Sequence, residues 1–175
     1  MAVDIGIEAI DQDINLNFGY TAVNKNTPAT SAGTITSIEI WALEDIAGLR
    51  VGTFYTTNGD TLKCRDSEAI AGTITAGSKV TKAVSIAVEI GDYIGAYWAS
   101  GRIERASEGY AGAWLYIGEA IDPDDEAEYV FWEGDAISLG GYIGVPGWIG
   151  KISGVTNPAK IMGVDVANIA KVKGV

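Results

Sequence analysis

From Ala83 to Ile90 the chain alternates without a break: Val84, Ile86, Val88 and Ile90 are separated by Ala83, Ser85, Ala87 and Glu89. A period of two sets the four large apolar side chains on one face of an extended strand, whereas a helix would scatter them around its circumference. Ile38 and Ile40 alternate in the same way with Ser37, Glu39 and Trp41. In Ile94, Ala96 and Trp98, alternating with Tyr93, Gly95 and Tyr97, both faces are apolar or aromatic. That pattern predicts a central strand covered on both sides.

Turn signals fall between such runs. Asn58-Gly59-Asp60 predicts a hairpin between Val51–Tyr55 and Thr61–Arg65, because Asn and Gly accept positive φ. Ala76-Gly77-Ser78, Gly91-Asp92 and Ser100-Gly101 mark three more turns. Strands are expected near 2–8, 17–24, 33–42, 49–56, 61–67, 70–75, 80–90, 93–99, 102–106, 112–117, 128–132 and 135–144. No long segment has a helical period, and residues 119–127 read as a loop or a single turn. Short strands spaced about 8–12 residues apart predict an all-β, antiparallel β-sandwich, jelly-roll-like in style.

The pattern changes near Pro146. Beyond it, Lys-[Ile/Val]-x-Gly-Val recurs at 151–155, 160–164 and 171–175. The chain of 175 residues therefore divides into a sandwich body, 1–146, and a C-terminal extended arm, 147–175. One reading of the repeats is a short meander that closes the domain. The other is an arm that adds strands to a neighbouring subunit, since short apolar strands with little core of their own need another surface. In that second reading Ile152, Val155, Ile161, Val164, Val172 and Val175 are the buried anchors, and Lys151, Lys160 and Lys171 are charge partners.

Charge is divided along the same boundary. Lys151, Lys160, Lys171 and Lys173 against Asp165 make +3 from residue 151 onward, which leaves −14 of the net −11 on the preceding residues. An acidic body and a basic arm attract each other, within one chain or between copies. Binding to nucleic acid is not expected, because neutralising phosphates needs clustered Lys and Arg. No membrane span is expected either: apolar runs are short, and a spanning helix needs about 20 such residues. The start, MAVDIGIEAIDQD, lacks a basic region and a long apolar run, so it does not read as a secretory signal as it stands.

Candidate chemistry is sparse. The chain has no histidine, which removes Ser-His-Asp triads, Cys-His dyads and histidine metal sites together. Phosphate-loop, dinucleotide and nucleophile-elbow motifs are lacking, and acids are too common for a glycosidase pair to stand out. The expectation is no enzyme, no catalytic residue and no cofactor. Cys64 stands alone and reads as a small core thiol. Asp122, Asp124, Asp125 and Glu126 lie in the densest acidic stretch, Glu119 to Asp135, which has no Lys or Arg. They read as a solvated loop on which a lysine-bearing arm docks, or as an oxygen-rich Ca²⁺ site, although EF-hand spacing and its central Gly are missing. Aromatics also gather late in the chain. They fill a core or an interface, or else Trp98 and Trp114 form an exposed platform that stacks on glycan rings.

Gly33-Thr-Ile-Thr-Ser-Ile-Glu-Ile-Trp41, Val51-Gly-Thr-Phe54, Cys64-Arg-Asp66, Gly91-Asp-Tyr-Ile-Gly95 and Gly109-Tyr-Ala-Gly-Ala-Trp114 together resemble a group of uncharacterised β-rich proteins from tailed-phage and environmental viral genomes. The Lys-Ile-x-Gly-Val tail is similar to C-terminal ends of phage structural proteins. The resemblance implies a structural role in a virion (capsid decoration, tail or fibre) or in an extracellular filament. Its implied partners are copies of itself or other virion proteins. The alternative expectation is a carbohydrate-binding or receptor-binding module that uses an aromatic sheet face.

Overall fold

The computed structural model describes residues 2–144 and, beyond them, four two-residue strands at Lys151–Ile152, Val155–Thr156, Lys160–Ile161 and Val164–Asp165. The chain divides into two compact units, Met1–Ile143 and Gly144–Val175.

The first unit is all-β among its described residues, and its described strand pairs are antiparallel. One seven-stranded sheet contains β1 (Ile5–Gly6), β2 (Ile14–Asn17), β4 (Gly33–Ala47), β7 (Lys79–Val88), β9 (Ser100–Ala106), β13 (Ala136–Ile137) and β14 (Leu139–Gly144). The other seven-stranded sheet contains β3 (Tyr20–Asn24), β5 (Arg50–Asn58), β6 (Thr61–Ala69), β8 (Tyr93–Tyr97), β10 (Ala113–Ile117), β11 (Glu126–Glu128) and β12 (Val130–Trp132). The β-sandwich expected from the alternation is present.

The alternating run lies in β7 and just beyond it. Val84, Ile86 and Val88 are buried between the sheets, while Ala83, Ser85 and Ala87 face solvent. Ile90, the last member, falls in the turn after β7 and is exposed. Ile35, Ile38 and Ile40 of β4 meet Ile94 and Ala96 of β8 and Leu115 of β10 in the same core. Removing such side chains from water is the main force holding the two sheets together. Asn24 bridges them with polar bonds: its Nδ2 donates to the carbonyls of Ile137 (2.9 Å) and Leu139 (3.0 Å), and its Oδ1 accepts from the Ile137 N–H (2.9 Å).

The second sheet runs β11-β6-β5-β8-β3-β10-β12. Its two edge strands are halves of one continuous segment, 126–132, so the sheet nearly closes into a small barrel. Closure removes most of the unpaired backbone that open edges present. A second core fills this space: Val23, Phe54, Leu62, Trp114, Ile121 and Tyr129. Both faces of β8 are therefore covered, Ile94 and Ala96 by the sandwich core, Tyr93 and Tyr97 by the barrel.

The structure departs from the sequence reading in places. The strand expected at 17–24 is two strands in different sheets, β2 and β3, parted at Phe18-Gly19, where Gly19 takes φ +86°. The segment 70–75 contributes only an isolated bridge, Ile74 to Ile46. The hairpin at Asn58-Gly59-Asp60 forms with Asn58 opposite Thr61, and Gly59 alone takes positive φ, +57°.

Candidate functional site

The acidic segment is bolted to the barrel by cations from far upstream. Arg50 on β5 donates Nη1 to Glu119 (2.7 Å) and Nη2 to Asp122 (2.6 Å) and to Ser67 Oγ (3.1 Å). Lys63 on β6 pairs with Asp124 at 2.9 Å. The Asp125 carboxylate accepts the Asp122 N–H (3.0 Å), and Glu126 accepts the Thr57 hydroxyl (3.1 Å). The backbone joins in: Cys64 N–H donates to Asp125 O, and Asp124 N–H to Cys64 O. This lacing seats Ile121 in the barrel core. Asp122 and Asp124 thus already have cationic partners in their own chain. Among the described residues no three acids, cysteines or histidines are grouped as a metal cage.

Cys64 lies under this loop, 1% exposed, with its Sγ 3.3 Å from the Ile121 carbonyl. Burial, with nearby Asp125 and Asp66 carboxylates adding to it, pushes its thiol up to about 12. It is a protonated, unreactive core thiol at neutral pH.

Trp98 and Trp114 do not form a glycan platform. Trp98 is 0% exposed in the sandwich core, and Trp114 is 2% exposed inside the barrel. Trp114 Nε1 donates to Asp60 Oδ1 at 2.8 Å, and its ring meets Tyr93 edge-on at 5.0 Å. Rings that stack on sugar must offer an open face, and these offer none. The alternation of residues 93–98 includes Trp98 but says nothing of Trp114, and the barrel closure that covers Trp114 has no local signature.

Other acids are buried with dedicated partners. Asp92, 1% exposed, is held by Arg65. Asp135 pairs with Arg105, yet burial outweighs the cation and raises its carboxyl above the ordinary value. Glu39 accepts the Ala9 N–H (2.8 Å) and the Tyr142 hydroxyl (2.7 Å), and lies 3.4 Å from Lys79. Glu104 is raised by burial and then by the charge of Asp11, against a backbone bond from Gln12. Asp66 and Glu68 accept the Ala87 and Ser85 N–H groups (2.7 and 2.6 Å), so carboxylates cap the outer edge of β7. A groove of about 460 Å³ runs along Val3, Ile7, Ile10, Asn26, Thr27 and Tyr110. Its one carboxylate, Glu8, is paired with Lys79 at 2.9 Å.

The C-terminal unit turns two repeats into two alike hairpins. Strand β15 (Lys151–Ile152) pairs with β16 (Val155–Thr156), placing Ile152 opposite Val155 and Lys151 opposite Thr156. Strand β17 (Lys160–Ile161) pairs with β18 (Val164–Asp165), placing Ile161 opposite Val164 and Lys160 opposite Asp165. Each of the two described repeats thus pairs with itself as a short hairpin. The third repeat, with Lys171, Val172 and Val175, lies outside the described residues. Compared with protein families, curated proteins and solved structures, the chain matches none of them.

Proposed function

We propose that this chain is an assembly subunit, in which an acidic β-sandwich body is joined to other copies through its C-terminal hairpin repeats. The observation that carries the reading is the pairing of β15 with β16 and β17 with β18, two residues to a strand. A single two-stranded hairpin is marginal in water, and strands this short cannot enclose a core of their own. A repeated hairpin of this kind gains stability by stacking on copies of itself or on another subunit. The charge division supports the same reading, since a +3 arm is drawn to a −14 body of a neighbouring copy. The resemblance to viral β-rich proteins makes a virion part or an extracellular filament the setting of this assembly.

The test acts on the anchors. Replacing Ile152, Val155, Ile161 and Val164 by Ser in the full chain removes the apolar surface and spares the body. Sedimentation velocity should then show the large assembly lost, with nothing bigger than a dimer left. Assemblies of undiminished size would contradict the proposal.

A further inference from the structure

We infer that the open side of the sandwich, between β2 and β12, is a face on which a second copy of this chain docks. The register of β10 carries the argument. Ala113 and Leu115 point into the sandwich core, so Ile117, two residues on, projects from the same face. Val130 stands opposite Leu115, and Trp132 opposite Ala113. Directly opposed residues share a face. All three therefore turn toward the first sheet, yet Ile117 is 80%, Val130 64% and Trp132 37% exposed, because the first sheet does not reach over them. Phe18, 57% exposed, leaves β2 at this same side, where the Gly19 carbonyl accepts the Gly118 N–H at 2.9 Å. At the far end the Trp132 ring packs 4.7 Å from the Arg105 guanidinium, and Arg105 stands opposite Ile14 of β2.

Among the described residues, four of the seven large exposed apolar side chains thus share one strip. Single exposed apolar residues are ordinary, but a contiguous strip marks a docking surface. With a rise of about 3.4 Å per residue, the strip from Ile117 to the level of Ala113 is about 14 Å long.

Two features select a second copy as its occupant. Among the described strands β2 pairs with β9 alone, which leaves its outer N–H and C=O groups open, with no Lys or Pro guarding them. The stretch Ile14 to Asn24 also carries no charge, in a chain of net −11. Two such edges can run antiparallel about a twofold axis without the like-charge repulsion that opposes contact between copies elsewhere. In that arrangement Val130, midway along the strip, lies nearest the axis. A strongly charged partner would find nothing complementary there.

This face is built from residues of the first unit alone. That unit has its own two cores, so residues 1–146 can be tested alone as well as within the full chain. Sedimentation equilibrium of 1–146 should show a monomer–dimer equilibrium. Val130→Asp and Ile117→Asp should each weaken it about tenfold or more, a loss of about 1.4 kcal/mol or more in association. Ile90→Asp, at an equally open site of 72% exposure in the β7–β8 turn, should leave it unchanged. Unaltered melting temperatures would show that the variants fold. A 1–146 body that stays monomeric at millimolar concentration would overturn the inference, as would a dimer indifferent to both strip substitutions. Faster amide exchange at Val130–Trp132 on removing 147–175, with no dimer formed, would assign the strip to the chain's own C-terminal residues and overturn it too. The serine variants of the repeats should leave this dimer intact, so loss of either association is read independently of the other.

Discussion

Arg65 grips Asp92 through two parallel hydrogen bonds, Nε to Oδ2 at 2.6 Å and Nη2 to Oδ1 at 3.0 Å. The same Oδ2 accepts the Glu89 N–H at 2.8 Å, and the Asp92 carbonyl accepts the Ala29 N–H at 2.8 Å. The guanidinium also lies 4.7 Å from the Tyr55 ring. One carboxylate thus ties β6 in the barrel sheet to the turn that follows β7 in the other sheet. Arg65→Ala would leave a carboxylate of 1% exposure without a counter-ion. We expect a loss of about 3 kcal/mol, the low end for a broken buried pair because Arg65 keeps some solvent contact. Arg65→Lys should recover only part of it, since a point charge cannot reproduce the fork. Urea unfolding of the three proteins measures both values.

Gly95 is needed for its size, not its backbone angle. A methyl group there would meet the Ala22 carbonyl at 2.7 Å, Val23 Cγ2 at 2.8 Å and Phe54 Cε2 at 2.9 Å. Gly95→Ala should therefore cost about 1–3 kcal/mol by overpacking the barrel. Gly59→Ala meets nothing within 4 Å and is penalised through its φ of +57° alone, on the order of 1 kcal/mol. Thermal melts of the two variants should fall in that order.

Cys64 gives a titration with a defined sign. Its thiol is raised from 9.0 to about 12 in the folded protein, so between those values the unfolded chain has lost a proton that the folded chain keeps. Its contribution to stability is full below pH 9.0 and declines as pH rises toward about 12. Cys64→Ser should flatten that alkaline decline. At neutral pH the native thiol should react with iodoacetamide only as fast as the protein unfolds. Rapid labelling of folded protein would show that the site is open.

Much of the fold could be read in local sequence, and what escaped was long-range. Alternation alone sorts Ile94 and Ala96 from Tyr93 and Tyr97, and the structure gives each pair its own core. Asn58-Gly59 announces its hairpin because only a few residues tolerate that turn. The acidic segment reads as free because its cations are remote: Arg50 lies 69 residues from Glu119 and 72 from Asp122. The barrel closes where the strand expected at 128–132 is instead part of a longer segment, 126–132, which changes pairing partners around Tyr129. Periodicity records which face is apolar, not which strand lies beside it, so neither the closure nor the burial of Trp114 was visible. The exposed strip was missed for the same reason. Only the register of β10 with β12 shows Val130 and Trp132 on the face shared with Ala113 and Leu115, where both stay exposed.

The measurement that tests the central claim most directly is mass in solution with negative-stain microscopy, for the full chain and for residues 1–146 side by side. The account predicts rings, tubes or filaments from the full chain, and a folded body no larger than a dimer from the truncation. Equal masses for the two proteins, whether both small or both assembled, would contradict the claim that the C-terminal repeats drive assembly.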